Sequence, residues 1–294
     1  MTPAALDAFW LRKRPLPTPP EGTDKNSRGR VLIVGGSMRV PGGIGLTAEA
    51  AFRSGAGKVQ VATVAPAVVP LGVSLPGAAM HALPVDADGE IGPDVAPALR
   101  DALASVECVV LGPAITSNAV GGRLVEELLA EPRPGLTIVL DACSCANGGA
   151  HEALLRRYQG RLILTPHSGE LAGLTGLPVE AIAADREGAV LAAARRFNAV
   201  VLIKGATTLL ADPGGDLLHY AGGTVGLAVS GSGDTLAGLI AGLVARGLPP
   251  WEATAWGVWL HGEAGRRLAE RMGPIGFLAR ELLPEIPGLM RGVY

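Results

Sequence analysis

The chain is expected to fold as a doubly wound α/β sandwich, a mostly parallel sheet flanked by helices on both faces. Three observations predict it. From Arg30 onward, short β-branched runs alternate with Ala/Leu-rich helical windows. Most of these runs are apolar throughout instead of alternating, as strands of a parallel sheet buried on both faces must be. The composition, 48% hydrophobic and 18% charged over 294 residues, supplies enough apolar surface for one large domain.

The elements follow in order. Residues 1–28 are expected to form a helical arm and a Pro-rich segment, and residues 29–294 a single domain. Within the arm, Pro3 to Arg14 reads as a short amphipathic helix with Leu6, Phe9 and Trp10 on one side, packed on the body or on a neighbouring subunit. Strands are expected at Val31–Val34, Val59–Thr63, Cys108–Leu111, Thr137–Leu140, Leu162–Leu164, Val200–Ile203 and Thr208–Ala211. Helices are expected at Gly45–Ser54, Pro93–Ala104, Ala119–Ala130, His151–Tyr158, Ser168–Thr175, Pro178–Phe197, Thr235–Arg246 and Trp251–Met272. The 42 glycines and 23 prolines would suggest low complexity in a polar chain. Here many of them fall in loops that leave strands, the face where doubly wound folds bind ligands.

Charge and cysteine content exclude several classes. A net charge of −2 without a basic face argues against nucleic-acid binding. The uncharged stretch from Val59 to Val85 is interrupted by Pro66, Pro70, Pro76 and Pro84, so no membrane helix is expected there. Arg12, Lys13 and Arg14 follow the first apolar run, which also contains Asp7, so no signal peptide is expected. Three cysteines make no disulfide framework and suit a reducing cytoplasm, and Cys143 and Cys145 have no second pair to complete a metal site.

Gly43, Gly45 and Ala48 match G-x-G-x-x-A, but they lie too far beyond the first strand for a dinucleotide fingerprint, and the next strand ends without an acid for a ribose. Ser230-Gly231-Ser232-Gly233-Asp234 is more informative, because it runs straight into a helix. Gly231 and Gly233 there let several amides turn toward one point at the helix start, an anion hole for a phosphoryl group, and Asp234 suits the base that takes a proton from an attacking hydroxyl. The competing reading of Asp234 is a plain N-cap. Lys204-Gly205-Ala206-Thr207-Thr208 ends another buried strand with one of only four lysines in the chain, which suits polyphosphate contact. In Thr165-Pro166-His167-Ser168-Gly169-Glu170 the turn projects His167 over the cleft, unless Ser168 and Glu170 merely cap the following helix. His261, inside a helix among Gly and apolar neighbours, is expected to be a satisfied core histidine.

Together GRVLIVGGS, PGG, RSGAGKVQVAT, VVLGP, VLDA, LTPHSGELAGL, LIKGATTLL, GLAVSGSGDTLAGLIAGLVARG and GVWLHGEAG resemble the ADP-dependent NAD(P)H-hydrate dehydratases, which have the ribokinase-like fold. The resemblance runs from about Gly29 to Gly288. It implies repair of hydrated NADH and NADPH, with ADP phosphorylating the C6 hydroxyl and phosphate then leaving to give NAD(P)H and AMP. It also implies Mg²⁺ as cofactor and a homo-oligomer such as a tetramer; the epimerase domain that some members carry is not expected, since the sequence upstream of Gly29 is too short for it. Carried over residue by residue, it makes Asp234 the base and Gly231, Ser232 and Gly233 the anion hole. It assigns the AMP portion to Lys204, Gly205, Ala206, Thr207, Thr208 and Gly233, and the hydrated cofactor to Gly43, Ile44, Gly112, His167 and Asp234. Three positions depart from the family pattern: Cys143 replaces a second Asp, Thr224 an Asn, and Ala114 a Gly. A vitamin or sugar kinase of the same fold would share the anion hole and Asp, and the lost second Asp leaves a non-catalytic nucleotide binder as a third reading.

Overall fold

A computed structural model describes residues 3–293. Its ten strands are β1 (Ala4–Ala5), β2 (Arg30–Val34), β3 (Lys58–Val64), β4 (Ala79–Leu83), β5 (Cys108–Leu111), β6 (Thr137–Leu140), β7 (Leu162–Leu164), β8 (Val200–Ile203), β9 (Thr208–Ala211) and β10 (Leu217–Tyr220). They form one sheet in the order β1-β10-β9-β8-β7-β6-β5-β2-β3-β4. From β4 through β8 every pairing is parallel, whereas β8, β9 and β10 form an antiparallel meander and β1 lies parallel to β10. All seven expected strands are present within a residue or so. Their apolar runs are buried completely in β5, β6, β7 and β8, as two-sided coverage by helices demands.

Three strands were not expected. β1 is a two-residue edge strand, β4 (Ala-Met-His-Ala-Leu) at the other edge is mostly exposed or half-buried, and β10 (Leu-Leu-His-Tyr), though largely buried, is short and interrupted by His219, so none carries a continuous apolar signal. The proline-rich stretch contains a helix, Ala65–Ser74. Pro66 lies in its first turn, where an amide would have no partner, and Pro70 costs a single backbone bond. The expected helix at Pro178–Phe197 is two helices, Val179–Ala184 and Arg186–Phe197. They break at Asp185, whose backbone is non-helical and whose carboxylate caps Gly188. In the arm the helix is only Ala8–Arg12. Leu6 and Leu11 face the core, while Phe9 turns outward under the Lys13 ammonium. The arm lies on the body: Trp10 meets Trp251 edge to face, and Trp256 donates to the Arg14 carbonyl at 2.8 Å.

The chain runs outward from β2 to β3 and β4, then returns to place β5 on the other side of β2. This reversal opens the crevice where a doubly wound sheet receives its ligand. Across it the loops leaving β2 and β5 are joined by a bond from the Gly36 amide to the Pro113 carbonyl at 2.8 Å. The Ser232–Ala245 helix is carried to the crevice by packing on the Gly43–Ser54 helix through small residues. A Cβ on Gly238 would collide with the Thr47 carbonyl, and one on Gly242 with Ser54 and the Ala51 carbonyl. Among the described residues no helix is long and apolar enough to cross a membrane.

This crossing is intolerant of added volume. Gly238→Val should lower the free energy of unfolding by about 3 kcal/mol, read as a lower urea midpoint with unchanged slope.

Candidate functional site

The loops leaving β2, β5, β6, β7 and β8 converge on the start of the Ser232–Ala245 helix. Gly231 precedes that helix with φ 87°, a left-handed conformation, and a Cβ there would strike Leu46. The turn ties the Ser232 amide to the Val229 carbonyl at 3.2 Å and the Thr235 amide to the Gly231 carbonyl at 3.0 Å. The amides of Gly233 and Asp234 have no acceptor among the described residues. These are the free first-turn donors that an anion can take up. Ser232, expected in the anion hole, therefore offers its side chain and not its amide.

Asp234 is not the helix N-cap; it lies in the first turn and faces the loops from β2 and β5. A Cβ built on Gly43 would lie 2.7 Å from the Ala114 Cβ and 3.5 Å from Asp234 Oδ2, so only glycine leaves the carboxylate this approach. Ala114 itself has φ 57°, which costs an alanine about 1 kcal/mol, and its amide donates to Asp234. The Asp234 carboxyl is pushed up to about 7. Burial and the neighbouring Asp141 raise it most, Lys204 and the Ala114 amide pull it back, and Glu170 raises it further.

Beneath the site, Lys204 Nζ lies 3.0 Å from Asp141 Oδ1 and 3.5 Å from Glu170 Oε2. Asp141 is buried and also accepts from the Thr165 hydroxyl at 2.7 Å. Burial alone would raise the Asp141 carboxyl, but Lys204, Thr165 and the Ala142 amide together hold it below the usual carboxylate range. Lys204 is raised in turn: burial opposes its charge, and Asp141 and Glu170 more than offset that. A Cβ on Gly233 would lie 3.5 Å from Lys204 Nζ, so the ammonium reaches under the helix start. At the position of the family's second Asp, the Cys143 thiol donates to the Ile115 carbonyl at 3.2 Å. Burial and then the nearby carboxylates of Glu90, Glu170 and Asp141 keep it protonated.

A cavity of about 820 Å³ opens on the other side of the helix start, lined by His167, Lys204, Gly205, Ala206, Thr208, Ser232 and Gly233 and walled by Leu227, Leu236 and Val258. That apolar wall with polar groups at one end suits a nucleoside and its phosphates. Thr207 is turned out of it toward Arg186, whose guanidinium donates to the Thr207 hydroxyl at 3.1 Å and carbonyl at 2.9 Å. Thr224 lines the cavity and caps the Gly226 amide. Gly43, Ile44, Gly112 and Asp234 lie outside the cavity. Gly43 meets Asp234 directly, whereas Gly112 approaches the Asp141 carbonyl with φ 113° and Ile44 has a wholly buried side chain, so only its backbone could face a ligand. His167, expected with that set, lines the cavity instead. His167, not Ser168, caps the Ser168–Thr175 helix, its Nδ1 accepting from the Gly169 amide at 3.0 Å while Nε2 faces Glu170 Oε1 at 3.2 Å. Asp141, Thr165 and Arg186 had no assigned part in the sequence reading, and Glu170 only that of a helix cap, which it fills by accepting from the His167 amide at 2.8 Å. Only the LDA and SGE runs within the motifs hinted at the carboxylates.

The NAD(P)H-hydrate dehydratase family model matches residues 31–288. The ADP-dependent (S)-NAD(P)H-hydrate dehydratase of Xanthomonas campestris is 45% identical over 97% of this chain and 95% of its own. The chain spans about half the length of the bifunctional repair enzymes that it also matches. Among solved structures, the ADP/ATP-dependent NAD(P)H-hydrate dehydratase of Bacillus subtilis, co-crystallised with ATP and Mg²⁺, superposes with a TM-score of 0.82 at 27% identity over all of both chains. A ribokinase-like superfamily protein of Enterococcus faecalis, 24% identical over 99% of this chain and 96% of its own, superposes equally well and shares the fold.

The raised Asp234 carboxyl has a consequence for stability. Folded protein holds that proton more tightly than unfolded chain, so between the ordinary carboxylate range and about pH 7 Asp234 costs stability increasingly as pH rises. Asp234→Asn should therefore be more stable than the parent by about 4 kcal/mol at pH 8 and nearly equal to it at pH 4, as measured by denaturant unfolding at both values.

Proposed function

The chain belongs to the NAD(P)H-hydrate dehydratase family, and from that membership we propose that it repairs hydrated NADH and NADPH at the expense of ADP. One observation carries the site assignment: a half-buried carboxyl poised near neutrality, Asp234, stands beside the free amides of a helix start whose other side, at Ser232 and Gly233, lines a nucleotide-sized cavity. A base with that value is ionised in part at pH 7 and still basic enough to take a proton.

Hydroxide is a poor leaving group, and phosphate is a good one. In the proposed reaction the C6 hydroxyl of the hydrated ring lies between Gly43, Ala114 and Asp234. Asp234 takes its proton as the oxygen attacks the β-phosphorus of ADP, the bond to the α-phosphate oxygen breaks, and AMP departs. The amides of Gly233 and Asp234 and the Ser232 hydroxyl face the phosphoryl oxygens as charge spreads over them. Cleavage of the C6–O bond, with loss of a proton from the neighbouring C5 to form the C5=C6 double bond, then releases phosphate and restores the dihydropyridine. The adenosine fits against the apolar wall of the cavity, with Gly205, Ala206 and Thr208 beside its phosphates. Lys204 neutralises charge from below, and His167 borders the cleft between the two substrates.

Among the described residues no group of three or more acidic, His or Cys side chains could cage a metal. The residues therefore fit Mg²⁺ bound mainly through diphosphate oxygens and water, with Glu170 the carboxylate that could hold one of those waters. When bound, the ion neutralises phosphate charge. We also propose a cytoplasmic homo-oligomer, such as a tetramer. The free cysteines and the exposed Val69 and Val73 of the Ala65–Ser74 helix support this reading.

Purified protein should restore the NADH absorbance from its hydrate only when ADP and Mg²⁺ are supplied. Asp234→Asn should lower kcat by about 10³-fold or more while ADP affinity stays within about threefold. Phosphorylation of a hydroxylated vitamin from ATP, without hydrate repair, would favour the kinase reading.

A further inference from the structure

His261 is a half-buried titratable group that the proposed reaction does not use. It lies within the Pro250–Met272 helix, 29 residues beyond Ser232, yet its Nε2 is 2.9 Å from Ser232 Oγ, and both residues line the cavity. Ser232 Oγ has no other partner among the described residues, and Ser232 is only 6% exposed. The segment that carries His261 is held in register from outside: a Cβ on Gly262 would strike the Tyr220 ring, and the Tyr220 hydroxyl donates to Glu263 at 3.3 Å.

We propose that His261 is a positioning residue for the anion hole, donating Nε2–H to Ser232 Oγ so that the serine hydroxyl proton points at the transferring phosphoryl group. The inference rests on the phosphoryl-transfer reading of the site. Two hydrogen-bond arrangements can join these atoms. If Ser232 donated to Nε2, its oxygen lone pairs would face an anionic phosphoryl oxygen, which is repulsive. If His261 donates, the hydroxyl completes a relay from imidazole to serine to phosphoryl oxygen, and each bond polarises the next. The ring is suited to this part. Burial pushes its value down to about 4, the Ser232 backbone pulls it partly back up and the Lys204 charge lowers it further, so at neutral pH it is an uncharged imidazole with a single N–H to place. Being uncharged, it orients the donor without adding a second positive charge beside Lys204.

The test uses the intact protein and separates phosphoryl contact from adenosine contact, because ADP carries the transferring phosphoryl group and AMP does not. His261→Leu should weaken ADP binding about tenfold by calorimetry, leave AMP within about twofold, and lower kcat about 30-fold. His261→Gln, whose amide can reach the Nε2 position and donate, should recover most of both losses; His261→Asn is too short to do so and takes the place of His261→Leu if that variant does not fold. In a Ser232→Ala background, His261→Leu should lower kcat by no more than about twofold further, since it acts through the missing hydroxyl. Equal weakening of AMP and ADP, equal losses for His261→Gln and His261→Leu, or a full additional loss in the Ser232→Ala background would each overturn the proposal. Parent protein that shows no turnover with hydrate and ADP would overturn the functional reading instead, and the ADP-against-AMP comparison would still decide the role of His261.

Discussion

The charge arrangement of the site depends on one buried ion pair, Lys204 with Asp141. Asp141 could not stay ionised in the interior without the ammonium 3.0 Å away, and Lys204 would not be held under the helix start without Asp141 and Glu170. Because Asp141 remains charged, Asp234 is kept near neutrality by like-charge repulsion as well as by burial. The three carboxylates thereby separate into two roles: Asp141 and Glu170 hold a cation, and Asp234 is left with a value suited to proton transfer. The order of the sheet makes this possible, since β6, β7 and β8 are neighbours and their loops deliver Asp141, Glu170 and Lys204 to one point.

The departures from the family pattern fall around this arrangement without breaking it. Cys143 brings a protonated thiol where a second carboxylate would have added negative charge near Asp141 and Glu170. Ala114 keeps the left-handed backbone that glycine would adopt more easily, and its amide still reaches Asp234. Thr224 supplies a hydroxyl on the cavity wall. Backbone geometry at the site survives changes of side chain because most of its contacts to phosphate are expected from amides.

Much of the architecture was legible because a sheet buried on both faces leaves uninterrupted apolar runs, as in Val31–Val34 and Val200–Ile203. Strand β4 escaped because it lies at an exposed edge, where pattern and burial weaken together, and β10 because His219 interrupts a short run that is otherwise buried. The proline-rich Ala65–Ser74 helix escaped because its first proline occupies a turn that needs no amide. In the site, the glycine loops and Asp234 were visible as local motifs, and the resemblance to a family named the substrates. What could not be read were bonds across distant segments: Lys204 to Asp141, Thr165 to Asp141, and Ser232 to His261. Each joins two loops or helices whose relative position only the folded sheet sets, so the lysine's carboxylate partners stayed hidden and the histidine looked like part of the core.

Catalysis and the charge arrangement of the site both require Asp234 to be a carboxyl with a neutral midpoint. A ¹³C NMR titration of carboxyl-labelled protein, with Asp234 assigned by comparison with Asp234→Asn, measures this directly. The midpoint should lie near pH 7 and fall when Asp141→Asn removes the neighbouring charge. A midpoint in the ordinary carboxylate range, near pH 4, unmoved by Asp141→Asn, would rule out that role for Asp234.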